Sequence, residues 1–197
     1  QIDLLRKRGM IIDSDSTAST FLSSNHYYRL NIYFHKLMNS PDHFRDGTRF
    51  SQVMAIYNND SWLRNRLLTI LEPIEIKTRT QISHYLGITY GSDAFYQKAI
   101  CKDEAIYQVI LDNFTNEISR NSKDPVIKHH KTNYGGYFPI WVVIEFLSFN
   151  TLSKYYGNLQ EKDKKTIARN SYHVNDFFLG QWLHVLSVLR NICAHYG

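Results

Sequence analysis

The sequence predicts an all-α fold, and three observations carry that reading. Apolar residues recur at spacings of three and four along most of the 197-residue chain, which is the repeat that lines one face of an α-helix. Strict alternation, the mark of a half-buried strand, is not sustained over more than a few residues. Turn-forming residues such as Gly9, Pro125 and the Gly135-Gly136 pair separate the periodic stretches. With 43% hydrophobic residues, a chain of this length can bury about 70% of its unfolded surface around one core, so a single domain over residues 1–197 is expected.

Taken in order, the first helix covers QIDLLRKR and stops at Gly9. Asp13 or Asp15 is positioned to cap the next, STASTFLS, because a carboxylate accepts from the unpaired N–H groups of a helix start. Asn25 to Met38 places Tyr27, Leu30, Phe34 and Leu37 on one face, with Arg29 off its centre. A long helix starts at Asn59 or Asp60 and carries Leu63, Leu67, Ile70 and Ile74 on to Leu86. Pro73 should kink it by removing a ladder donor. Glu75 and Arg79, four apart, read as a surface pair of a few tenths of a kcal/mol. Asp103 to Ile118 is a further helix. Ser119 to Tyr137 is polar and basic and reads as a long loop. Ile140 to Tyr156 resumes helical spacing with Trp141, Ile144 and Leu152 inward and Glu145 among apolar neighbours, and a short polar helix lies within Lys154 to Asn175. Phe177 to His195 is the strongest helix, with Phe178, Trp182, Val185, Leu189 and Ile192 forming its inward stripe.

Composition narrows the function classes. The start has no apolar signal region and no run reaches the roughly 18 to 20 apolar residues of a membrane span. Cys101 and Cys193 lack the spacing of a zinc or redox motif, so reduced thiols in a soluble cytoplasmic protein are expected. Because the chain opens on Gln1 and closes two residues after His195, it is expected to be trimmed from a longer one. A formal net charge of +5 suits a polyanionic partner without requiring one. DSDSTA at Asp13 has Ala18 where a calcium loop needs Gly, and GITYG at Gly87 lacks the Lys-Ser/Thr ending of a phosphate loop. No HExxH or comparable histidine spacing occurs, so neither a metal nor any other cofactor is expected. No helix-turn-helix with a basic recognition helix is evident, which weighs against a DNA-binding regulator.

One constellation remains. The chain ends LSVLRNICAHYG, an apolar helix finishing in Arg190, Asn191 and His195. Asn191 and His195 are one turn apart, and the long Arg190 side chain can reach the same edge. Imidazole moves protons near neutral pH, guanidinium grips a phosphate with two hydrogen bonds, and an amide can orient the ring, so the set suits phosphodiester cleavage. The same residues also suit a helix C-terminus, where the dipole favours cations.

Arg190, four intervening residues and His195, with Asn191 directly after the arginine, resemble the Rx4–6H signature of HEPN domains. The wider chain is similar to the Abi-like (AbiD/AbiF type) abortive-infection proteins of that superfamily. The matching stretches are QIDLLRKRGMIID, NHYYRL from Asn25, FRDGTRFSQVMAIYNNDSWLR from Phe44, IEIKTRTQI from Ile74, FPIWVVIEFLSFNTLSKYYG from Phe138, and LRNICAH.

The resemblance implies an HEPN-like helical bundle with additional helices, in a bacterial phage-defence protein that acts as a metal-independent endoribonuclease. Arg190 and His195 would be its catalytic pair and Asn191 the polar helper. One motif per chain implies a homodimer with a composite site, and a small RNA or antitoxin protein could restrain it. A non-catalytic HEPN-like module that binds RNA or protein is the alternative. For RNA contacts the sequence offers Arg29, which could instead pair with Glu145 across the core. It also offers Lys128, His129 and Lys131 of the KHHK run, which could equally be a solvated loop.

Overall fold

The computed structural model describes residues 1–195. The all-α expectation holds: the regular structure of those residues is ten α-helices, two short 3₁₀ helices, one π-turn and one two-stranded hairpin. The chain divides into two compact units, Gln1–Arg66 and Leu67 onward, each with its own apolar core.

The first unit holds α1 (Ile2–Lys7), α2 (Asp15–Ser24), α3 (Tyr27–Leu37), the hairpin β1 (Met38–Ser40) and β2 (His43–Phe44), and the start of α4 (Phe50–Tyr90). Gly9 follows α1 at φ +89°, a conformation glycine adopts without steric cost. Ser14, not Asp13 or Asp15, caps α2: its Oγ accepts from the Thr17 N–H at 3.3 Å. Asp13 reaches across to the beginning of α4, where it pairs with Arg49 at 2.6 Å and accepts from the Ser51 N–H at 3.3 Å. The Gln52 side chain adds a bond from the Arg49 N–H at 2.9 Å. These caps explain why α4 begins at Phe50, well before the expected Asn59 or Asp60. Leu5, Leu30, Phe34, Phe44 and Val53 fill the core, so the predicted Leu30 and Phe34 face is borne out.

In the second unit α4 runs on through Pro73 as one continuous helix. Its packed side carries Leu71, Thr78, Ile82 and Leu86, whereas Leu63 and Ile70 are exposed. The helix expected over Asp103 to Ile118 is α5 (Glu104–Arg120), capped by Asp103 through the Ile106 N–H at 3.0 Å. The stretch read as a long loop instead contains α6 (Pro125–Asn133). Asp124 accepts from the Val126 and Ile127 N–H groups at 2.8 and 3.3 Å, and Pro125 occupies a first-turn position where its missing N–H costs nothing. The helix expected from Ile140 divides into α7 (Ile140–Phe146) and α8 (Phe149–Asn158), because the Ser148 hydroxyl starts a new helix by accepting from Thr151 N–H at 3.1 Å. Trp141 points outward while Ile144 and Leu152 are buried. Helix α9 (Glu161–Ile167) passes through a π-turn into His173 at φ +57° and then α10 (Asp176–His195).

Helix α10 reverses the expected facing. Leu179, Leu183, Ser187 and Cys193 are buried, while Phe178, Trp182 and Val185 are each more than half exposed and Val188 and Ile192 nearly so. The larger stripe is therefore outside and the smaller one packs on α8 and α9.

Asp60 in the first unit ties charge to stability. Desolvation raises its carboxyl pKa, but hydrogen bonds from Arg64 and Tyr33, both 2.8 Å, outweigh that and hold it below the usual carboxylate range. A depressed carboxyl stabilises the fold above its unfolded pKa and stops doing so as pH falls through the folded value. The melting temperature should therefore drop more steeply for the native protein than for Asp60→Asn between about pH 5 and 3, measured by circular dichroism.

Candidate functional site

Arg190 stands on the packed side of α10, and its guanidinium Nε lies 3.4 Å from Glu75 Oε2 on α4. The other carboxylate oxygen, Oε1, receives Arg79 Nη1 at 2.8 Å. Arg79 in turn donates through Nη2 to the Leu147 carbonyl at 2.6 Å, just beyond α7, and its Nε lies 3.8 Å from Glu145 Oε2. Side-chain exposure is 11% for Arg79, 14% for Glu75 and 38% for Arg190. The result is a chain of four charges, Arg190, Glu75, Arg79 and Glu145, joining α4, α7 and α10.

This changes the reading of Glu75 and Arg79. Their four-residue spacing matches an exposed pair, yet they lie on the side of α4 that carries Leu71, Thr78 and Ile82 and are mostly withdrawn from water. Counting 3.6-residue periodicity from Leu71 through Ile82 and Leu86 would have placed them there. Glu145, offered to Arg29 by the sequence, has Arg79 as its ion-pair partner in this unit; Arg29 is a half-buried residue of α3 in the first unit.

Arg190, Asn191 and His195 occupy the last turns of α10 as expected, but not as a compact triad. Five residues turn about 140° around a helix, so Arg190 points inward to Glu75 while His195 lies on the exposed side, beside Ile192 of the apolar stripe. Among the described residues these three make no hydrogen bond to one another, and Asn191 is half-buried. Tyr196 and Gly197 lie outside the described residues. Lys128, His129 and Lys131 are exposed on α6, an element separate from the Arg190 network. His130 is structural: Nδ1 is 2.9 Å from the Tyr137 carbonyl oxygen and its ring stacks on Phe138. Among the described residues no three His, Cys, Asp or Glu side chains are grouped to hold a metal ion, and no helix is long and apolar enough to cross a membrane.

Fold and site define first a class, an all-α protein whose last helix pairs an ion-bound arginine with an outward histidine. The chain belongs to the Abi-like family: the family model described as Abi-like protein matches residues 20–197. Comparison with curated proteins and with solved structures returns no match.

Removing one member of the buried network strands its partners. Arg79→Ala leaves Glu75 Oε1 and the Leu147 carbonyl without their donor, with only the longer Arg190 contact still on the carboxylate, and should cost about 3–5 kcal/mol, as for a broken buried pair. Arg120→Ala, which loses only the exposed pair with Glu117, should cost about 0–1 kcal/mol. Urea unfolding of both variants makes the comparison.

Proposed function

We propose that this Abi-like protein acts in abortive infection as a metal-independent HEPN-type endoribonuclease. The observation that supports the reading is the end of α10, where the Arg190 and His195 spacing of the HEPN signature coincides with a guanidinium restrained by Glu75 and a solvent-exposed imidazole.

The reaction is an in-line transfer. The 2′-hydroxyl oxygen of one nucleotide attacks the adjacent phosphorus, the bond to the 5′-oxygen of the next nucleotide breaks, and the products carry 2′,3′-cyclic phosphate and 5′-hydroxyl ends. One His195 takes the proton from the 2′-hydroxyl, a second His195 gives a proton to the leaving oxygen, and Arg190 stabilises the charge gathering on the phosphorane. DNA lacks the attacking group and is not a substrate.

Two copies of His195 require two chains. The separation of Arg190 from His195 within one chain favours the same arrangement, since a second copy can bring its imidazole to the first copy's guanidinium. The exposed stripe of Phe178, Trp182, Val185 and Ile192 beside His195 supplies an apolar face for that association.

Two outcomes are expected. A labelled single-stranded RNA incubated with the protein in EDTA should be cut to cyclic-phosphate ends, with the rate falling at least about 100-fold in His195→Ala; RNA binding that persists in both proteins without cleavage would favour the non-catalytic binding module. Val185→Asp should convert a dimer to monomer in sedimentation analysis and abolish cleavage with little loss of monomer secondary structure; full activity in a monomer would sink the composite site.

A further inference from the structure

The Glu75 carboxylate is shared unequally. Its short contact, 2.8 Å, goes to Arg79, which is further held by the Leu147 carbonyl and by Glu145. Its longer contact, 3.4 Å, goes to the Nε of Arg190, and this is the one ion pair that Arg190 makes among the described residues. Arg79 is thus held on several sides and largely buried, whereas Arg190 is restrained at Nε and remains 38% exposed. A guanidinium grips phosphate in bidentate fashion through paired N–H groups along one edge. Restraint at Nε limits rotation of the group while leaving the Nη nitrogens for an added anion. The four charges already sum to zero, so a phosphate arriving at Arg190 meets Glu75 as a competing anion.

We propose that Glu75 is the positioning residue for Arg190, held in place by Arg79, and that it sets the orientation of the guanidinium at the expense of phosphate affinity. The inference rests on the ribonuclease reading for its consequence in catalysis, but its structural part stands apart from it. Glu75 touches no reacting atom; it acts through Arg190. The IEIKTRT stretch, which supplies Glu75 and Arg79 one turn apart, is then the support for a site whose chemistry comes from the other end of the chain.

Glu75→Gln in the full chain tests this, because the amide keeps the size and one acceptor oxygen while removing the charge. Single-turnover cleavage should slow by about 10- to 100-fold, as expected for a misplaced group. Binding of an uncleavable 2′-O-methyl RNA should hold or tighten by about two- to fivefold, since a competing anion is removed. A purely structural ion pair predicts another pattern: lowered melting temperature with rate and binding unchanged per folded molecule, or both weakened together, and either result overturns the proposal.

Nitrogen NMR of arginine side chains keeps the test independent of turnover. The Arg190 Nε–H signal should be slow to exchange in the wild type, fast in Glu75→Gln, and shifted by the 2′-O-methyl RNA in both. If the wild type cleaves no RNA but these signals behave so, the ribonuclease reading fails and the positioning stands. An Arg190 signal indifferent to Glu75→Gln, or to the RNA, overturns it whatever the cleavage result.

Discussion

One carboxylate between two guanidiniums is the constraint on which the second unit is built. Withdrawing Glu75 and Arg79 from water costs several kcal/mol per ion, and that cost is offset only where both oxygens and the fork of N–H donors find partners in good geometry. The partners are Arg79, one turn along the same helix, and two groups distant in sequence, the Leu147 carbonyl after α7 and Arg190 on α10. Any slip of α10 by one residue along α4 would carry Arg190 about 100° around its axis and take its guanidinium away from the Glu75 oxygen. The ion network therefore sets the register of the last helix in a way that the surrounding aliphatic contacts, being non-directional, do not.

That register has a consequence for the two faces of α10. With Arg190, Leu183 and Cys193 turned toward the body of the unit, the bulkier apolar residues are left on the outside, and His195 lies with them. A contiguous apolar stripe on a monomer's surface usually marks a contact site. In the proposed reaction, His195 and Arg190, pointing apart on one helix, make poor use of each other inside a single chain. Both features belong to a reading in which the working unit contains two copies, each providing what the other's α10 turns away.

Legibility differed sharply from one part of the chain to another. Helices with a sustained apolar period, such as α5, are legible in the sequence. Helix α6 was missed because polar composition and punctuation outweighed the Asp124-Pro125 start signal, although Ile127 is buried beneath it. The early start of α4 depends on Asp13, more than thirty-five positions away in the chain, and local propensity carries no record of such a partner. The division of Ile140 to Tyr156 turns on one hydroxyl, Ser148, competing for a backbone donor. In the candidate site, Arg190, Asn191 and His195 are visible as a motif, while Glu75 and Arg79 read as a surface pair, because four-residue spacing carries no record of what packs over it.

The sequence by itself determined the helical class, the resemblance to the Abi-like family and the identity of the terminal Arg, Asn and His, because periodicity, spacing and residue type are properties of neighbours along the chain. Tertiary structure decided which stripe of α10 faces inward, that Glu75 is withdrawn from water, and that Arg190 and His195 point apart. An amphipathic helix with apolar residues on both sides can bury either one. The choice between them is made by the partners it meets, here a carboxylate on α4 that only folding brings within reach of α10.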